Sequence, residues 1–178
     1  DMLARGEHTI TLQYSKVLTS SAATALTQAF TSCVKTYCEQ MYNAVSCKSY
    51  STGKVSLAFS STACTDTQLE TYRTKALAAA VKVHDALWES GELSYGMSQY
   101  EIAQVYYQWL CEHCRYDDGA GDDSLSHLAY GALVNGLAVC DGYTGAYNLL
   151  LKLEGIDCTA LFNDSHIWTV AKLDGRTY

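Results

Sequence analysis

Proline is absent from all 178 residues, where average usage is about 5%, so every reversal of the chain depends on Gly, Asn, Asp or Ser. Basic charge is scarce. Twelve Lys and Arg stand against 19 Asp and Glu, the net charge is -7, and no run of Lys or Arg stands out. The phosphate-neutralising charge that nucleic-acid binding depends on is therefore missing, which argues against nucleic acid as a partner. Long apolar runs are also lacking. Stretches such as Leu77 to Val83 fall far short of the roughly 20 residues of a spanning helix, so no transmembrane segment is expected. No internal repeat or low-complexity tract is visible. No signal peptide opens the sequence, which starts at Asp1 without Met, and this decides nothing about compartment.

The chain is the length of one large domain, or of a domain with a small appendage. Its 48% hydrophobic and 17% charged residues are ordinary globular composition and too apolar for a disordered chain. Eight cysteines suggest an oxidising compartment. Four of them, Cys33, Cys38, Cys47 and Cys64, lie in the first third. They allow three pairings, and the sequence chooses neither among them nor between bridges and buried free thiols.

His8 to Tyr14 alternates as a half-buried strand does, with Ile10, Leu12 and Tyr14 on one face. From Ser21 to Val45, Leu26, Phe30, Cys33, Tyr37 and Met41 recur at helical steps. Gly53 ends that connection, and Val55 to Phe59 reads as a second strand. Residues 1–65 thus form a strand-helix-strand appendage. A linking helix runs from an Asp66 N-cap to Trp88, with Leu69, Tyr72, Ala76, Val83 and Leu87 as its apolar face.

Residues 91–178 read as the main unit. Ser98 and Glu101 fit a capping box that opens a helix through Ile102, Tyr106, Leu110 and Cys114. Asp117 to Asp123 is a loop, and Leu125 to Val134 a short helix closed by Asn135-Gly136. Cys140 begins the next helix, which stops at Gly155. Strands follow over Cys158 to Phe162 and His166 to Leu173, and Asp174-Gly175 is a hairpin turn leading into a return strand from Arg176.

A thiol is a useful nucleophile only as thiolate, and the first turn of a helix favours that form through its unpaired amide groups and dipole. Cys140 occupies such a position. Asp141 beside it opposes the effect, so an adjacent imidazolium is required, and His166 is the candidate. Gly142 would let substrate or partner backbone approach closely. Pairing Leu173 with Arg176 sets the hairpin register, in which His166 and Trp168 share a face. The residue opposite Trp168 falls three positions beyond Tyr178, diagonal to His166 at about 7 to 8 Å, where an orienting carboxylate would complete a triad.

The run His127-Leu-Ala-Tyr130-Gly-Ala-Leu133, then Gly136-Leu-Ala-Val-Cys140-Asp-Gly-Tyr143, Gly155-Ile156, His166-Ile-Trp168 and Leu173-Asp-Gly175-Arg-Thr-Tyr178 resembles the bacterial branch of the transglutaminase-like superfamily. The likeness covers roughly residues 98 to 178, and several motifs agree in order and spacing. It implies an α+β fold, a papain-like core with the nucleophile at a helix N-terminus packed on an antiparallel sheet, continuing past Tyr178. It also implies Cys140 as nucleophile, His166 as base and an Asp just past Tyr178. Thr169 departs from the pattern, which often carries Asn there. The implied mechanism is thiolate attack on an amide carbonyl and release of a thioester to water, as in a peptidase or amidase, or to an amine, as in a transglutaminase. The Cys140 backbone N–H would hold the oxyanion, with Tyr130 or Asn135 as second donor and Trp168 packing under the site.

Other features have plainer readings. Cys111-Glu-His-Cys114 has a metal or disulfide spacing but lies inside a helical pattern with Cys114 on its buried stripe, which favours core packing. His84 and His113 suit solvated or capping roles, and the Asp117 to Asp123 loop lacks the ligand ladder of a calcium loop. No metal or cofactor is expected. The expected function is a cysteine enzyme at the bacterial cell surface or outside the cell, acting on amides of protein, peptide or peptidoglycan. The alternative is a surface binding or scaffolding protein that keeps the fold without catalysis.

Overall fold

The structure, a computed structural model, describes residues 9–37 and 44–178. It is mixed α+β, and its two three-stranded sheets are antiparallel.

The first sheet has the order β1 (Thr9–Gln13), β3 (Lys54–Ser60), β2 (Ala44–Ser49). Val55, Leu57 and Phe59 of β3 are buried at every second position, the period of a pleated strand with one face on the core. Helix α1 (Ser20–Tyr37) packs on β2. The helix expected through Val45 is thus shorter, because Ala44–Ser49 pair with Ser60–Val55, and strand pairing overrides local helical spacing. Leu26 and Phe30 do form the inward stripe, but Val34 continues it and Cys33 is exposed. The expected contributions of His8 and Met41, and the pairing of Cys38, lie outside the described residues. Among the described residues no two cysteines are bridged.

Helix α2 (Asp66–Ser90) is capped by Thr65, not Asp66. The Thr65 hydroxyl accepts from the Gln68 N–H at 3.4 Å, and the Gln68 side chain accepts from the Thr65 N–H at 3.1 Å, a capping box one residue earlier than expected. Helix α3 (Gln99–His113) carries the Ser98–Glu101 box, and Asp174 adds a second cap by accepting the Gln99 and Tyr100 N–H groups at 3.0 and 3.1 Å. The expected helix over Leu125 to Val134 is broken. Extended backbone at Leu128 separates a 3-10 turn (Leu125–His127) from a π-helical turn (Gly131–Asn135) that ends at left-handed Gly136.

Strands β4 (Arg115–Tyr116) and β5 (Leu137–Ala138) pair in parallel just before α4 (Cys140–Leu153). Helix α4 packs on β6 (Asp157–Phe162) and β7 (Ile167–Leu173), and α2 and α3 pack on α4. Asp174 and Gly175 both have positive φ, 50° and 81°, as a two-residue hairpin turn needs. Leu173 pairs with Arg176 of β8 (Arg176–Thr177), the register read from the sequence.

One apolar cluster runs from Val34 through Leu57, Leu69, Ala80 and Tyr106 to Leu150 and Leu173, so residues before and after 65 share a core and α2 lies within it. Where α2, α3 and α4 meet, the Glu154 carboxylate accepts from Trp88 Nε1 at 3.0 Å and the Tyr106 hydroxyl at 2.7 Å, with His84 Nε2 at 3.4 Å. His84, without a visible partner in the sequence, thus belongs to a polar network. His113 bonds the Trp109 carbonyl at 2.8 Å, one turn back on α3. Among the described residues no helix is long and apolar enough to cross a membrane.

Candidate active site

Cys140 is the first residue of α4, behind a Val139 that offers no side-chain cap. Its amide makes no hydrogen bond among the described residues, as expected for a donor in an uncapped first turn. The thiol is free and half-buried. His166 is not within β7 but ends the turn before it. The Asn163 side chain accepts from the His166 N–H at 2.8 Å and from the Ser165 N–H at 3.0 Å, so a side-chain turn replaces the strand ladder at that amide. The imidazole stacks on Trp168, ring centroids 6.0 Å apart, and makes no hydrogen bond among the described residues.

Cys140, His166 and Ile167 line two adjoining cavities. The first, of about 560 Å³, is walled by Leu110 and by the rings of Tyr107, Tyr116, Tyr143, Tyr147 and Trp168. Two of its phenols are committed: Tyr143 donates to the Cys114 carbonyl at 2.7 Å and Tyr147 to the Ala103 carbonyl at 2.9 Å. Burial pushes the Tyr147 hydroxyl up to about 12 and also raises that of Tyr143, so both are neutral and the wall is largely apolar. Cys111, exposed, and Cys114, buried, also reach this cavity. The packing expected of the Cys-x-x-Cys pair therefore holds for Cys114 alone, whose thiol burial pushes up.

The second cavity, of about 520 Å³, is polar, with Asp122, His127, Asp141, Asn163 and Asp164 in its wall. Gly142 follows Asp141 of that wall and packs on neighbouring backbone. A Cβ there would overlap the Ser126 carbonyl oxygen and lie 3.0 Å from the Leu128 carbonyl oxygen, so only glycine lets the 3-10 turn sit on the first turn of α4. The backbone brought close by Gly142 is the chain's own. The turn is further held by the Val139 N–H donating to the Ser126 carbonyl at 3.0 Å, and by the buried Ser126 hydroxyl donating to Asp117 at 2.6 Å.

This docking sets His127 over Asp141. His127 Nδ1 lies 2.8 and 3.0 Å from the two carboxylate oxygens, and one of these also accepts the Gly142 N–H at 3.0 Å. Burial raises the Asp141 carboxyl above its ordinary value, against the lowering effects of His127 and the first-turn amides. The pair went unread in the sequence because its members stand 14 residues apart, although both lie inside the motif that carries the family resemblance.

Thr144 was also missed. Buried one turn into α4, its hydroxyl lies 2.7 Å from the Cys140 carbonyl and 3.3 Å from that of Ile167. It thereby ties the residue bearing the thiol to the residue after His166. Thr169, which replaces the frequent Asn, donates to buried Asn148 at 2.8 Å. Tyr130 and Asn135 line neither cavity: Tyr130 packs on Tyr72, centroids 4.6 Å apart, and Asn135 is exposed at the end of the π-helical turn. The structure thus brings Cys140, His166 and Trp168 together and leaves those two outside. No protein-family model and no curated protein matches this chain.

Proposed function

We propose that this chain carries a papain-like, transglutaminase-type core and is a cysteine-nucleophile enzyme acting on amide bonds of protein, peptide or peptidoglycan at the bacterial cell surface. The observation that carries the reading is that a thiol at an uncapped helix N-terminus and an imidazole with no hydrogen bond among the described residues line the same two cavities. Cys140 attacks the carbonyl carbon, the developing oxyanion takes the unpaired Cys140 N–H, and His166 returns the proton to the leaving amine. The thioester then passes to water or to a second amine. The apolar aromatic cavity suits an acyl side chain, and the polar one suits the acceptor.

Iodoacetamide labelling near neutral pH, followed by peptide mapping, tests the reading. Cys33 and Cys111 are exposed and Cys140 only half so. Access alone therefore orders the rates against Cys140, whereas an activated thiolate reverses that order. Cys140 is expected to alkylate at least about tenfold faster than either, and H166A to lose that lead. Labelling in order of exposure sinks the enzyme reading and leaves a binding or scaffolding protein.

A further inference from the structure

Two histidines line the polar cavity beside Cys140, and they are held differently. His166 has no hydrogen bond to its ring among the described residues. His127 has its Nδ1 bonded to a carboxylate that can only accept once ionised, which places a proton on Nδ1, so that in the neutral ring Nε2 carries the lone pair. No other described group bonds that ring. A carboxylate on Nδ1 with Nε2 free is the arrangement that orients a general base, and it stands on the residue next to the nucleophile.

We infer that the Asp141–His127 pair is a second acid–base unit of the Cys140 site, which activates the acyl acceptor after Cys140 has been acylated. The inference rests on the cysteine-enzyme reading and divides its chemistry between two cavities. In the first half-reaction Sγ bonds to the carbonyl carbon, the carbon–nitrogen bond breaks, and His166 supplies the leaving amine's proton. In the second, water or a primary amine enters from the polar cavity and His127 Nε2 takes its proton. The new carbon–oxygen or carbon–nitrogen bond forms, the carbon–sulfur bond breaks, and Cys140 leaves as thiolate. The His127 imidazolium then yields its proton to solvent and His166 takes one from solvent, which restores the starting thiolate and imidazolium. Burial raises the Asp141 carboxyl, so holding it ionised costs stability, an expense that a purely structural contact has no need of.

The test uses p-nitrophenyl acetate with the full chain, because its chromophore leaves in the first half-reaction and its acetyl group in the second. Asn places an amide N–H near the position of His Nδ1 and nothing at Nε2, so H127N keeps the contact with Asp141 and removes only the base. The expected result is a p-nitrophenolate burst within about twofold of the parent's rate, steady turnover slower by at least about tenfold, and an acetyl-enzyme on Cys140 visible by intact mass. Turnover of H127N at the parent rate overturns the inference, as does an equal loss of burst and turnover. If H127N does not melt cooperatively, D141N carries the test: it is expected to slow turnover with the burst retained, and unchanged turnover overturns the inference. A parent without a Cys140-dependent burst removes the enzyme reading itself, and the inference with it.

Discussion

On one side of Cys140 stands the turn Leu125–His127, pinned by close packing on Gly142, by the Val139 N–H, by the Ser126–Asp117 bond and by the Asp141–His127 pair. On the other stands the Asn163–His166 turn, closed by the Asn163 N–H donating to the His166 carbonyl at 2.9 Å and shaped by the Asn163 side chain, with an imidazole that stacks on Trp168 and makes no hydrogen bond among the described residues. The first wall is fixed by sterics and buried polar bonds, while the imidazole of the second has no hydrogen bond among the described residues to fix its ring. Such an arrangement suits a two-step acyl transfer. A base on the leaving-group side must follow the reacting atoms, and an acceptor site gains by being preformed.

The largest effect should come from breaking the fixed wall. G142A puts a methyl group into the Ser126 carbonyl. Backbone cannot move aside as a flexible side chain can, so chemical denaturation should show a loss of about 1–3 kcal/mol and turnover should fall with it. If G142A is as stable and active as the parent, the two walls do not differ in rigidity.

Next in size is T144V, which keeps the shape of the side chain and removes the hydroxyl between the Cys140 and Ile167 carbonyls. About 1 kcal/mol of stability should go with that bond. The rate of Cys140 alkylation should fall more than its exposure explains, because the two walls lose the group that sets their spacing. A smaller effect is expected on the His166 side. N163A removes the acceptor that shapes the His166 turn, a surface site, so stability should change by only about 0.5 kcal/mol. The lead of Cys140 over Cys111 in labelling should nevertheless shrink. Unchanged selectivity would show that His166 needs no help from its turn.

The difference between the walls also explains which features could be read from sequence. The Ser98–Glu101 box, the Asp174-Gly175 turn with its register, and the helix opening at Cys140 and closing at Gly155 are encoded within a few residues of themselves. The fixed wall is not. Gly142 could be read as a close approach, but the approaching backbone, Ser126 to Leu128, lies 14 or more residues away in sequence, and no local period links His127 to Asp141. The helix expected through Val45 failed for the same reason: the pairing of β2 with β3 is a tertiary fact. Tyr130 and Asn135, expected as second oxyanion donors, line neither cavity, because the break at Leu128 and the π-helical turn set the backbone that carries them.

The finest division between the walls concerns what holds Asp141 in place. Its carboxyl is raised by burial, with His127 and the first-turn amides pulling the other way without prevailing. A carboxyl with a higher value folded than unfolded holds its proton more tightly in the native state. The stability it contributes is therefore complete in acid, below its unfolded value, and is lost as pH rises through the folded one. Above its folded value the ionised group opposes folding. D141N has nearly the shape of the protonated acid and never ionises, so it should melt above the parent at neutral pH. That advantage should shrink to nothing on acidification, a comparison of melting temperatures across pH. A D141N protein that melts lower at neutral pH would mean that the bond to His127 outweighs burial, and the fixed wall would then be explained by stability alone. The expected sign instead makes the burial of Asp141 a feature of that wall that weakens the fold, offset in part by the bond to His127, and a carboxylate buried at such a cost beside Cys140 is best accounted for by what it does to His127.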